Sequence, residues 1–235
     1  MTDKKTAPGN EDKAEVIVAK AKDFWEKNSK IISIVFTVLV LGVGGYFIYN
    51  NYIQKPKEEK ATEAIFKAEE YYRMDSVRLA LKGDGQYLGL EKIIEKYSGT
   101  DAGNLACFYA GVCYLKQDDN QNAIKYLKKF STSSKAVKAR VYKLLGDAYG
   151  DGGKYAEALD NYKQAASTFE DDKPNSAQAL FLAAYLADKM LKNQKQAIEL
   201  YTELKQKFKD TQLGDAVAGD LADNYLAQLG VYNAN

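Results

Sequence analysis

The chain has 235 residues, with 33 lysines and arginines against 32 aspartates and glutamates, for a formal net charge of +1. That balance argues against nucleic acid as a partner, because phosphate binding needs concentrated positive charge. Histidine is absent and cysteines number two, so neither a zinc site nor a Ser-His or Cys-His pair can be assembled, and no cofactor is expected. Tyrosine is abundant at 18 and proline scarce at 3, which with many Ala, Leu, Lys and Glu residues describes stacked helices rather than sheet.

Residues 1–10 are polar, carry Pro8-Gly9, and read as a disordered tail. Residues 11–29 follow a helical period, with Val16, Ile17, Ala21, Phe24 and Trp25 on one side and Lys13, Lys20, Lys22 and Lys27 distributed around the rest. Such a helix can bury its aromatic edge at head-group depth while its lysines meet anionic lipid; a partner-binding or solvated helix is the other reading. Ile31 to Tyr49 is apolar without a single charge. At 1.5 Å rise per residue it extends about 28 Å, close to the ~30 Å of a bilayer's hydrocarbon core. A cleaved signal peptide fits less well, since the run is long and ends in Phe-Ile-Tyr-Asn-Asn rather than in a small-x-small exit. The transmembrane helix is therefore drawn over residues 30–53. The lysines ahead of it, with Lys4, Lys5 and Lys13 added, outnumber those behind it, and this places the amino terminus, with an amphipathic juxtamembrane helix at 11–29, in the cytoplasm. Everything after the span then lies outside, which in a bacterium is the periplasm.

Residues 54–57 contain Pro56 and read as a linker that interrupts the helix. A charged helix is expected from Glu58 to Lys82, stopped by Gly83-Asp84-Gly85, and a shorter one from Tyr87 to Tyr97. Cys107 and Cys113 fall on different faces of one helix and read as buried small apolar residues.

An internal echo follows. Ala110-Gly111-Val112-Cys113-Tyr114 aligns with Leu145-Gly146-Asp147-Ala148-Tyr149 at a period of 35, and Ala123 and Ala158 fall at matching distances beyond the glycines. Each unit reads as an antiparallel helix pair in which Gly111 with Ala123, and Gly146 with Ala158, let the backbones approach. The second unit supplies Tyr142, Leu145, Gly146, Tyr149, Gly153, Ala158, Tyr162 and Ala165 at spacings that resemble the tetratricopeptide repeat. Repeats are drawn near 104–135, 139–172 and 177–210, with a capping helix at 212–229, inside a repeat domain of 58–235. The third keeps Ala197 and Tyr201 but puts Tyr185 and Asp188 where Gly and Tyr are expected, and Pro174 opens it. The fold class is all-α: one N-terminal transmembrane helix, then a helical-hairpin solenoid.

Repeats of this class stack so that their first helices line a concave binding face, which implies a binder and not an enzyme. Phe108, Arg140, Lys143, Asp147 and Leu182 are the candidate protein-binding residues there, a mixture suited to extended polypeptide. The Lys and Asn clamp by which some tetratricopeptide domains hold a terminal carboxylate is absent, because Asp147 stands where the asparagine should be, and Phe108, Val112, Leu182 and Leu186 occupy the other positions.

A short cytoplasmic lead, one span and a helical-repeat domain, with Ala80-Leu81-Lys82-Gly83-Asp84-Gly85 and Asn104-Leu105-Ala106 ahead of the first repeat, resembles the YfgM-like family of ancillary Sec translocon subunits in its Bacteroidetes form. The resemblance implies an inner-membrane protein associated with the SecYEG translocon and a PpiD-like periplasmic chaperone, its repeats meeting secretory polypeptides and its lead touching membrane lipid. A scaffold subunit of another envelope machine, of the outer-membrane protein insertion or secretion type, is the alternative.

Overall fold

The computed structural model describes residues 10–232, with side chains from Glu15 onward. The tail read at 1–10 lies, but for Asn10, outside the described residues. The chain divides into two compact units, one through Pro56 and one from Lys57.

The first unit is dominated by α1 (Asn10–Tyr49), a 40-residue helix. No turn separates the amphipathic stretch from the apolar one: neither proline nor glycine occurs between Asn10 and Leu41, so nothing breaks the ladder. Its large apolar side chains, among them Ile17, Phe24, Ile31, Leu39 and Phe47, are exposed, with Ile32 half-buried, and the helix is long and apolar enough to cross a membrane. Beyond it the backbone stays helical where an interruption was expected. A π turn over Asn50–Gln54 hands on to α2 (Lys55–Arg73), with the Lys55 N–H bonded to the Asn50 carbonyl. The wider turn gives the Pro56 ring room against the preceding carbonyls, and its missing N–H falls where the register changes.

The second unit continues with α3 (Val77–Lys82), α4 (Leu90–Lys96), α5 (Asp101–Leu115), α6 (Asn120–Leu127), α7 (Lys135–Asp151), α8 (Tyr155–Thr168), α9 (Lys173–Tyr185), α10 (Gln194–Phe208) and α11 (Ala218–Gln228). A two-residue hairpin, β1 (Gln212–Leu213) against antiparallel β2 (Ala216–Val217), occupies the start of the expected capping helix.

The helix expected over 58–82 is broken at Met74–Ser76, and the break is informative. Asp75 takes a left-handed φ of +56°, and the Ser76 N–H returns 2.8 Å to the Tyr71 carbonyl. The same turn enters the second helix of each later hairpin, with Asp118 (+58°), Gly153 (+74°) and Lys192 (+54°) in the left-handed place. Asp119 N–H then reaches Tyr114 O, Lys154 N–H reaches Tyr149 O and, in a loop one residue wider, Asn193 N–H reaches Ala187 O. Four residues past each cap lies a fully buried alanine: Ala80, Ala123, Ala158 and Ala197. The pair α2 and α3 is thus a hairpin of the same build as the three expected ones. Its second helix is cut short at Gly83, whose φ of +79° and bridge to Leu88 leave no room for a side chain, since a Cβ would sit 2.2 Å from the Tyr87 carbonyl. Asp84 accepts the N–H groups of Gln86 and Tyr87, so the following helix starts at Leu90 rather than Tyr87.

The glycines meet different partners from those expected. A methyl at Gly111 would lie 2.5 Å from Leu127 Cγ, and one at Gly146 2.6 Å from the Tyr162 ring; the alanines sit one turn away. In the third repeat the residue facing the second helix is Ala184, fully buried, not Tyr185, which is 39% exposed. A π turn over Leu186–Met190 absorbs the extra residue and resets the register. Two apolar clusters fill the unit, one centred on Ala68, Leu81, Ile93 and Cys113, the other on Leu145, Tyr162, Leu180, Tyr201 and Leu226. Stacked rings stiffen both, Tyr114 on Tyr126 at 5.4 Å and Tyr201 on Tyr225 at 4.9 Å. Cys107 and Cys113 are free and buried, as expected.

Candidate functional site

Five residues were expected to form a binding face, and the structure links four of them in two pairs. Phe108, half-buried on α5, packs its ring 5.3 Å from Phe130, and the Arg140 guanidinium of α7 lies 5.8 Å from the Phe108 ring centre. That guanidinium is held over an aromatic face rather than by a carboxylate, which leaves its donors available. One turn on, Lys143 Nζ lies 3.0 and 3.2 Å from the Asp147 carboxylate oxygens, the ordinary i, i+4 geometry of a helix. Asp147 also accepts the Tyr162 hydroxyl at 2.8 Å. Burial first, then the Asp147 charge and hydrogen bond, push the Tyr162 phenol far up. Leu182, on α9, packs against the apolar cluster that Phe108 also borders, and has no polar link to the other four.

Two of the grooves beside α7 hold the candidate residues Arg140, Lys143 and Asp147. The larger, about 530 Å³, is lined by Val137, Arg140, Lys143 and Leu144 from α7 and by Phe169, Asp172 and Asn175 from the end of α8 and the start of α9. The other, about 450 Å³, takes Leu144, Asp147 and Asp151 from α7, Val112, Leu115 and Lys116 from α5, and Tyr162 from α8. Leu144 walls both. The larger groove sets Arg140 and Lys143 with Asp172 beside apolar side chains, and the smaller sets Asp147 and Asp151 with Lys116. Backbone and side-chain groups of an extended peptide can be met by charges of both signs, while the apolar walls take alternate apolar side chains.

Sequence reasoning missed Phe169 and Asn175, because it assigned the face to first helices alone, and it passed over Val137 at the start of α7. The Asp171-Asp172 turn ahead of Pro174 was the available signal. Asp172 caps α9 through the Asn175 N–H and so brings that loop against α7. Among the described residues no cluster of three or more His, Cys, Asp or Glu side chains is placed to hold a metal.

Residues 22–137 match a tetratricopeptide repeat-like domain, and residues 143–210 match a tetratricopeptide repeat. No curated protein matches the chain. With these two stretches matched, and four hairpins among the described residues sharing one turn and one buried alanine, the chain is a tetratricopeptide repeat protein.

Proposed function

We propose that this protein is an adaptor held at a membrane by α1, gripping extended polypeptide in the grooves beside α7. The observation that carries the reading is the Leu144 wall, with Arg140 and Lys143 on one side and Asp147 on the other. The Lys143–Asp147 ion pair bridges the wall, and Arg140 stands beside it with its donors turned to the larger groove. The resemblance of the whole arrangement to YfgM-like subunits, and the lysine excess ahead of the span, support placing the repeats in the periplasm at the Sec translocon, with secretory chains or a PpiD-like chaperone as occupants.

A photo-crosslinking side chain at position 140 in intact cells tests this. Many partners that vanish when secretion is blocked are the expected result. A single stoichiometric folded partner, present whether or not secretion proceeds, would replace the escort reading with a scaffold subunit of another envelope machine. Digestion of the repeats from outside in spheroplasts checks the orientation, and protection there would reverse it.

A further inference from the structure

α1 is about 60 Å long by its 40 residues, twice the hydrocarbon thickness of a bilayer. If Ile31–Tyr49 takes the span, the unbroken helix before it projects out of the membrane instead of lying along it. Its apolar side then faces water unless something covers it, and Ile17, Phe24 and Trp25 are 67%, 61% and 57% exposed.

The spacing of that side says what covers it. Ile17, Ala21, Phe24, Asn28, Ile31, Val35, Val38, Gly42, Gly45 and Tyr49 follow one another at alternating steps of four and three. This is the seam of a two-stranded coiled coil, with Ala21, Asn28, Val35 and Gly42 at a positions and Ile17, Phe24, Ile31 and Val38 at d. Asn28 is the one polar residue on the stripe, and a lone asparagine at an a position is the feature that fixes register and strand number in parallel dimers. Gly42 and Gly45, with nothing within 4 Å of where their side chains would be, continue the seam as points of close approach.

Charge selects the partner and its direction. The positions flanking the outer seam are Lys20 and Lys27 at g, Val18 and Trp25 at e; the acids Asp23 and Glu26 lie off it, and Asp23 is engaged by Lys27 of its own helix at 2.9 Å. In a parallel pair each g lysine meets the partner's e residue, so Lys20 sets its ammonium against the other copy's Trp25 ring. In an antiparallel pair g meets g, lysine against lysine. Two copies of a single-pass chain inserted the same way are parallel. Rings bury roughly 150–250 Å² each, so Phe24 and Trp25 from two copies bring about 600–1,000 Å² to the seam before the aliphatics are added, near the lower bound of a specific interface. We propose that α1 pairs with α1 of a second copy in a parallel coiled coil running from Ile17 through the apolar span.

The inference rests on the anchor reading, and alkaline carbonate extraction separates the two. A chain released by carbonate refutes the anchor; a chain retained but unpaired refutes the dimer alone. Single cysteines are placed in the full-length protein in native membranes at Ile17→Cys, Ala21→Cys, Phe24→Cys and Asn28→Cys, with Asp23→Cys and Glu26→Cys as off-seam controls and the parent chain, with its buried thiols, as background. Oxidation is expected to give covalent dimer at the first four positions about tenfold above the two controls. Equal crosslinking at every position, crosslinks to other proteins, or none anywhere would overturn it. Trp25 is the only tryptophan, so quenching of its emission by lipids brominated near the head group reports the competing surface-bound helix. Strong quenching without dimer sinks the proposal.

Discussion

A methyl group at Gly146 would lie 2.6 Å from both Cδ1 and Cε1 of Tyr162, so the second repeat is built around one absent side chain. Gly146→Ala gains about 1 kcal/mol of helix propensity, but overpacking costs roughly 1–3 kcal/mol, and Tyr162 cannot swing aside without releasing Asp147. Thermal unfolding of the full-length protein in detergent is expected to show a Tm lowered by about 2–6 °C. An unchanged or raised Tm would mean that the ring has somewhere else to go.

The π turn makes a reciprocal prediction at two adjacent residues. Ala184→Leu, at the fully buried position, is expected to destabilise by about 1–3 kcal/mol. Tyr185→Ala loses only ring contacts at 6.3 Å to Phe181 and Tyr225 and is expected to cost under about 1 kcal/mol. The opposite ranking, measured in the same melt, would restore Tyr185 to the interface.

Glu58 reaches across more than 40 residues to accept the N–H groups of Asp101 at 2.7 Å and Ala102 at 2.9 Å. Thr100 takes the Gly103 N–H at 2.9 Å, so the first turn of α5 is fully capped by two side chains. Glu58→Ala is expected to cost about 1–2 kcal/mol and to speed hydrogen exchange selectively at Asp101 and Ala102. Exchange accelerated uniformly over the unit would contradict this local role.

Lys192 holds a φ of +54° without the excuse of a glycine. Left-handed backbone costs an ordinary residue about 1–2 kcal/mol, partly offset in a glycine by its greater entropy when unfolded. Lys192→Gly is therefore expected to raise the Tm by about 1–3 °C, whereas Gly153→Ala, at the equivalent turn, lowers it. Identical shifts from the two substitutions would deny their equivalence.

Alkali should weaken the fold. Burial raises the Cys113 thiol from its ordinary 9.0 to about 11, and lifts Cys107 and the phenols of Tyr114, Tyr162 and Tyr201 as well. These acids keep their protons in the folded chain and lose them in the unfolded one. The stability they contribute is thus complete below pH 9 and is lost as pH rises toward and past 11. The thiol at Cys113 alone is worth of order 2 kcal/mol over that interval. Denaturation midpoints recorded between pH 8 and 11 are expected to fall steadily, with loss of helix as the readout. Midpoints that stay level across that range would show the thiols and rings to be as open to solvent in the folded chain as in the unfolded one.

Much of this architecture was legible in one sequence because its signals are local. The apolar run of α1, the 35-residue echo and Pro174 after two aspartates each fix a short stretch through backbone preference or periodicity. What escaped depends on hydrogen bonds no periodicity records. The return of Ser76 to Tyr71 turned one long helix into a further hairpin, and the π turn displaced Tyr185 by one residue. The candidate face was half visible: Lys143 with Asp147 follows from helical spacing, whereas Arg140 over Phe108 depends on how α7 packs beside α5. The Phe169 and Asn175 side of the groove follows only from how α9 docks.

The widened turn at Leu186–Met190 has a bearing on how such arrays change over generations. A hairpin that takes up a surplus residue inside its own first helix spares its neighbours any shift, since Ala184 and Ala197 stay fully buried as Ala123 and Ala158 do. Insertions and deletions at that point are then nearly invisible to selection on packing. Lineages can lengthen or shorten a repeat there and leave the inherited surface intact.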